Sequence, residues 1–185
     1  MKRVTLLFVL AAAWLIVPGV ALAQTFPVVP GTLEIQGGVS AVSLPEETVG
    51  SVSAQPEARL GYFVAEGVMV QLAADARVWP LGNTAPSLYG LAANVLWFPN
   101  LGPRNRNVYL MAGGGGVLLD PPGAVVDSSI DPLLRGGLGF KVPMEEVGMS
   151  LLKSLHFTVE FRGDYVLADE NSFLSGVTFA FSRIR

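Results

Sequence analysis

The eleven residues Leu155-His156-Phe157-Thr158-Val159-Glu160-Phe161-Arg162-Gly163-Asp164-Tyr165 alternate without a break. Odd positions are apolar, aromatic or Gly, and even positions are polar or charged. A strand turns successive side chains to opposite faces, so this segment has one apolar wall and one wall carrying Glu160, Arg162 and Asp164. A helix would repeat its apolar residues every three to four positions instead. The fold must therefore give long strands an apolar surrounding on one side and accommodate charge on the other.

The start of the chain says where such a fold would be built. Lys2 and Arg3 form a positive n-region, Thr5 to Val17 is an apolar core, and Pro18-Gly19 precedes the small-residue site Ala21-Leu22-Ala23. This is the pattern of an export signal over residues 1–23, cleaved to leave Gln24 first. An uncleaved anchor is the alternative, but the helix-breaking pair favours processing. The chain has no Cys, which excludes a lipid-anchored N-terminus, disulfides and thiolate metal sites. Residues 24–30, with Pro27 and Pro30, read as an extended lead-in. Residues 31–185 read as one domain, with no periplasmic domain expected after it.

Composition narrows the class. Charged residues make up 15% of the chain, against about 25% in soluble domains. After the signal there is no apolar run approaching the roughly 18 residues of a spanning helix. Few charges without a spanning helix fit a transmembrane barrel, whose apolar residues occupy alternate positions. The formal net charge of −3 becomes more negative when Lys2 and Arg3 leave, and no basic stripe marks a nucleic-acid partner.

Period-2 runs bounded by Pro, Gly, Asn and Asp predict eight strands, at 32–43, 55–65, 68–79, 87–98, 107–118, 133–143, 154–166 and 173–183. In the first, Leu33, Ile35, Val39 and Ala41 oppose Glu34, Gln36 and Ser40. In the second, Ala58, Leu60, Tyr62 and Val64 oppose Glu57, Arg59 and Gly61. In the third, Val70, Leu72 and Ala74 oppose Gln71, Asp75 and Arg77. The sixth sets Leu134, Leu138 and Phe140 against Arg135 and Lys141, and the last sets Val177, Phe179 and Phe181 against Thr178, Ala180 and Ser182. Gly113 to Gly116 erase the pattern in the fifth strand, so the face of Tyr109 stays open. A phosphate-cradling loop would need a following helix and a Lys, whereas Val117-Leu118-Leu119-Asp120-Pro121 follows. Glycines that make room inside a narrow barrel are the better reading.

Tyr89 and Trp97 lie eight residues apart on the apolar face, about 26 Å along a strand and about 20 Å vertically at barrel tilt. That span approaches the apolar band of a membrane barrel and predicts an aromatic girdle of Tyr62, Tyr89, Trp97, Tyr165 and Phe181. Ala65-Glu66-Gly67 is a tight turn of periplasmic type. Residues 44–54, 80–86, 119–132 and 167–172 form the loops of the far side. Residues 99–106 and 144–153 are longer than usual for the near side, and 145–154 has room for a short turn.

Alternation alone does not say which face is inside, because a soluble lipocalin-like barrel reverses the two. The polar face carries Glu34, Glu57, Asp75, Glu160 and Asp164 against Arg59, Arg77, Arg135, Lys141 and Arg162. Such balance suits a lumen in which buried charges pair. Eight strands leave an interior that side chains fill, so these residues are expected to form a structural ion-pair plug.

The signal, the eight alternating strands, the run Val108-Tyr109-Leu110-Met111-Ala112-Gly113-Gly114-Gly115-Gly116 and the ending Gly176-Val177-Thr178-Phe179-Ala180-Phe181 together resemble the small outer-membrane barrels of the OmpA/OmpX-like superfamily. The resemblance spans the mature chain and is architectural. It implies recognition of the last strand by the barrel assembly machinery. Leu174, where a polar residue is usual, and the four residues after Phe181 depart from that terminal signal.

Some eight-stranded barrels modify lipid A, so the single His needs weighing. His156 falls on the polar face near the periplasmic mouth, but no neighbouring Ser is aligned with it in the sequence, and a nucleophilic site needs one within hydrogen-bond reach. The expectation is an all-β, eight-stranded antiparallel up-and-down transmembrane barrel, monomeric, in the bacterial outer membrane. It is expected to have no catalytic residues, metal or cofactor. Its partners are outer-membrane lipid and the assembly machinery, and its role is structural or surface-interacting. A lipid A-modifying enzyme and a soluble periplasmic binding barrel are the alternatives.

Overall fold

The computed structural model describes residues 29–43, 52–77, 87–99, 107–120, 130–144, 155–168 and 172–185. The export signal lies outside them, as do residues 44–51, 80–86, 100–106, 121–129, 145–153 and 169–171 of the sequence-predicted loops. Eight strands make up nearly all of what is described: β1 (Leu33–Ser43), β2 (Val52–Ala65), β3 (Val68–Arg77), β4 (Ser87–Trp97), β5 (Val108–Asp120), β6 (Ile130–Pro143), β7 (Leu155–Val166) and β8 (Ser172–Ile184). All eight match the period-2 runs. Two begin about three residues earlier than the sequence indicates, β6 by taking in Pro132, which like Pro56 in β2 is exposed on the outer face. A proline removes one ladder donor without forbidding the extended backbone.

Each strand pairs antiparallel with its sequence neighbours, and β1 pairs with β8 to close the barrel. The closing ladder runs from Glu34 opposite Ile184 to Ser43 opposite Ser175. Leu33 and Arg185 extend it by exchanging two backbone hydrogen bonds of 2.9 Å. Closure leaves no strand edge, and in lipid every backbone polar group must be satisfied within the protein. The one described hairpin turn, Ala65-Glu66-Gly67, uses Gly67 at φ 73°. The register shifts between Phe63 and Ala65 as β2 enters it.

The apolar parity points outward. Ile35, Leu60, Leu72, Leu91, Leu134 and Phe179 are each about half exposed or more, while Glu34, Arg59, Lys141 and Glu160 on the opposite parity are buried. This is the inside-out arrangement of a membrane barrel and the reverse of the lipocalin-like alternative. β5 joins the same scheme: Tyr109 and Met111 face the lumen and are buried, and Leu110 faces out.

Apolar residues also enter the lumen, in two separate clusters. Phe63, Met69, Leu96, Phe98, Tyr109 and Met111 pack at the end that carries the Ala65–Gly67 turn. Val42, Ala92, Val117, Leu133, Val166 and Leu174 pack toward the opposite end. Phe63 and Leu96, exceptions to polar parity in the sequence, thus belong to a continuous buried cluster. Leu174, the departure from the terminal-strand signal, is a lumen residue of the second.

The glycines of β5 allow β4 to come close. A Cβ on Gly115 would collide with the Leu91 carbonyl oxygen and one on Gly113 with the Ala93 carbonyl oxygen and the Asn94 side chain. A Cβ on Gly139 would collide with the Tyr109 ring. The backbone at Gly115 cannot yield as a flexible side chain would, so Gly115→Val is expected to cost about 3 kcal/mol or more by overpacking. Urea titration of the refolded barrel in detergent should show the loss, and an unchanged midpoint would contradict the close approach of β4 and β5.

Candidate functional site in the barrel lumen

Between the two apolar clusters the lumen holds a network of charge. Arg59 from β2 spans the interior to Glu160 on β7 in a two-pronged pair, with both N···O distances 2.7 Å. Glu160 also accepts a 2.6 Å hydrogen bond from the Tyr109 hydroxyl. Arg59 holds Glu57 on its own strand at 2.8 Å. Arg162 donates to Glu57 at 2.9 Å and to Gln55 at 3.0 Å. Arg135 on β6 grips Asp164 through two donors, at 2.9 and 3.0 Å, and reaches across to Asp75 at 2.7 Å.

These contacts answer an electrostatic problem set by the register. Glu57 and Asp75 lie directly opposite each other on β2 and β3, a like-charge pair that would be destabilising alone. Arg162 and Arg135 neutralise them from the other wall. Gln55 donates to Asp75 at 2.6 Å, Ser40 donates to Glu57 at 3.1 Å, and Ser40 and Thr178 share a 2.7 Å hydrogen bond. Nearer the turn end, Lys141 pairs with Glu34, with the ammonium 5.8 Å from the Tyr109 ring centroid. Gly139 gives the Tyr109 ring its space, so the missing side chain in β6 helps place a hydroxyl on Glu160.

The structure therefore places Glu34, Glu57, Arg59, Asp75, Arg135, Lys141, Glu160, Arg162 and Asp164 inside the lumen. The Arg77 side chain lies outside what is described. Gln55, Ser40, Thr178 and Tyr109 belong to the same network and were not singled out in the sequence. The first three share parity with charges that were, and Tyr109 was hidden by the glycines that follow it.

Tyr62, Tyr89, Trp97, Tyr165 and Phe181 all face outward and are substantially exposed. Tyr62 and Trp97 lie by the turn end, opposite Val70 and Val68, with Phe181 further in opposite Phe157. Tyr89 and Tyr165 lie toward the far end, joined there by Phe173 opposite Tyr165.

His156 lies on the buried lumen face that its sequence parity gave it. Ser182 stands directly opposite it, β7 to β8; cross-strand register, which local sequence does not reveal, brings them together. Yet Ser182 Oγ makes no hydrogen bond among the described residues, so it is not held against the imidazole. Both side chains are buried on the lumen face. Among the described residues no group of three or more His, Asp or Glu side chains is arranged to hold a metal ion.

Searches against protein-family models and curated proteins find no match. Solved structures do match. Neisserial surface protein A is 13% identical, with 82% of this chain and 95% of that one covered at a TM-score of 0.57. The N-terminal β-barrel domain of Pseudomonas aeruginosa OprF is 13% identical, with 83% and 98% covered at a TM-score of 0.50. The chain has the fold of the small outer-membrane β-barrels. At this identity the likeness is one of architecture, and the lumen contacts are described for this barrel alone.

Removing one partner from a buried, hydrogen-bonded pair strands the other charge at a cost of about 3–5 kcal/mol. Glu160→Ala, which also orphans the Tyr109 hydroxyl, is expected to lose that much in equilibrium unfolding from lipid vesicles. The double change Arg59→Met with Glu160→Leu should recover part of it, since Glu57 keeps Arg162 while the Tyr109 hydroxyl stays without its acceptor. A double variant no more stable than Glu160→Ala would contradict the pairing.

Proposed function

We propose that the chain is exported to the bacterial outer membrane and acts there as a closed, non-conducting monomeric barrel with a structural or surface-interacting role. The observation that carries this reading is the filled lumen. Cross-lumen pairs such as Arg59–Glu160 and Arg135–Asp75 occupy the interior between two apolar clusters, and an eight-stranded barrel has little space beyond its side chains. The exposed apolar band and its outward aromatics fit lipid as the main partner. The outward Phe179 and Phe181 of β8 suit the barrel assembly machinery. Closure leaves no strand edge for another copy to extend.

No catalytic role is proposed. Ser182 faces His156 without a hydrogen bond to it, inside the lumen, where a nucleophile would lack both activation and access. Any surface interaction would be carried by the far-side connections, whose residues 44–51, 80–86, 121–129 and 169–171 lie outside the described residues.

Detergent-extracted protein is expected to run as a compact band that shifts on boiling. In planar bilayers it should leave the membrane resistance unchanged. Reproducible single-channel steps would sink the sealed-lumen reading, and release into aqueous buffer without a heat shift would sink the membrane reading. Overexpression is expected to leave lipid A composition unchanged by mass spectrometry, for wild type and His156→Ala alike. A modification that appears with wild type and vanishes with His156→Ala would establish the enzymatic alternative.

A further inference from the structure

The outer wall carries a feature that the lumen does not explain. Where β1 meets β8 at the turn end of the barrel, a groove of about 260 Å³ opens on the outer face. Leu33, Ile35, Leu155 and Phe181 give it apolar walls, and Arg183 and Arg185 supply its charge. Arg183 lies opposite Ile35 on β1 and Leu155 on β7. Paired residues of an antiparallel ladder point to the same face, so this guanidinium shares the outward, lipid-side parity of Phe179 and Phe181.

An arginine on the lipid face of a barrel costs about 2–4 kcal/mol at the bilayer midplane and far less near an interface. Its position near the end of β8, beyond Phe181 and level with Leu155 at the start of β7, suits the interfacial zone. An extended guanidinium there reaches toward the headgroup layer while its methylenes stay on the apolar wall. Among the described residues no carboxylate side chain lines the groove to neutralise it. An apolar trough ending in guanidinium donors has the complementarity of an acyl chain beneath a phosphate, and Arg forms two-pronged bonds to phosphate oxygens.

We propose that this groove binds one anionic glycerophospholipid of the periplasmic leaflet. Arg183, aided by Arg185, holds the phosphate, and one acyl chain lies along Leu33, Ile35 and Phe181. This rests on the outer-membrane reading above, with the strand ends at Leu33 and Arg185 on the periplasmic side. The site anchors the seam at which the barrel closes, so bound lipid would fasten β1 and β8 at their open end.

The test is native mass spectrometry of the barrel, purified from cells expressing the full chain and released from detergent micelles. The micelles are doped with phosphatidylglycerol or with phosphatidylcholine of the same acyl chains. One phosphatidylglycerol should be retained in preference to phosphatidylcholine by about fivefold, the value of one cationic side chain at an anionic surface. Arg183→Leu should abolish the preference while keeping the heat-shifted band, since it makes the lipid face more apolar. Leu155→Trp, which fills the groove and leaves the charge, should lower retention of both lipids. Equal retention of the two lipids by wild type, or an undiminished preference in Arg183→Leu, overturns the proposal. If Arg183→Leu gives no folded band, Arg185→Gln and Leu155→Trp decide it by the same criteria. A folded, heat-shifting barrel without lipid preference sinks the groove alone, whereas protein released into aqueous buffer sinks the membrane reading and the groove with it.

Discussion

Pairing of β1 with β8 is the constraint from which the other features follow. A strand in hydrocarbon has no water to satisfy its N–H and C=O groups, so the sheet must close. Closure with eight strands fixes a narrow interior. Every alternate side chain is then confined to that interior, and their chemistry decides whether it can be filled without stranding charge. The outer face faces a looser requirement, since any apolar residue of moderate size serves. The chain accordingly presents Leu, Val, Ile and Ala there in no evident order, with aromatics such as Tyr62, Trp97, Tyr89 and Tyr165 toward the two ends. The interior is specified atom by atom.

The interior is solved in layers. Burying an ion pair costs desolvation that the Coulomb attraction offsets only with good geometry and further hydrogen bonds. Arg59, Arg135 and Arg162 each reach more than one acceptor. Charged contacts cross the lumen from β2 to β7, from β6 to β3 and from β6 to β1, rather than linking adjacent strands. They act as struts between opposite walls. The apolar clusters at either end keep water from the struts, which strengthens each electrostatic contact and raises the penalty for an unpaired one.

How much of this was legible depended on the range of the signal. Side-chain parity is local, so the strands and the inward set from Glu34 to Asp164 could be read from alternation alone. Register is not local. Nothing near His156 in the sequence announces Ser182, and only the β7–β8 ladder sets them face to face. Tyr109 failed for a different reason: glycines carry no hydrophobicity to set the parity, and the ring's place is fixed by the gap at Gly139 on the neighbouring strand. Phe63, Leu96 and Leu174 are apolar residues on the inward parity. Their sense emerges only when residues from several strands converge into the two end clusters.

The same distinction bears on what selects the register. A one-residue slip of any strand would turn its charges to lipid, so the apolar face alone forbids it. A two-residue slip preserves every face and would pass that filter. It would move Arg59 away from Glu160 and Arg135 away from Asp164, and leave Glu57 and Asp75 without their cations. The penalty for stranding buried charge is several kcal/mol per ion, comparable to the whole stability of many domains. Arg59 and Glu160 are separated by 101 residues, so this check applies only once both ends of the chain have come together. Outward hydrophobicity thus carries the strands into the membrane, and the inward charges choose, among the closures that remain, the one that pairs Arg59 with Glu160, Arg135 with Asp75 and Asp164, and Lys141 with Glu34.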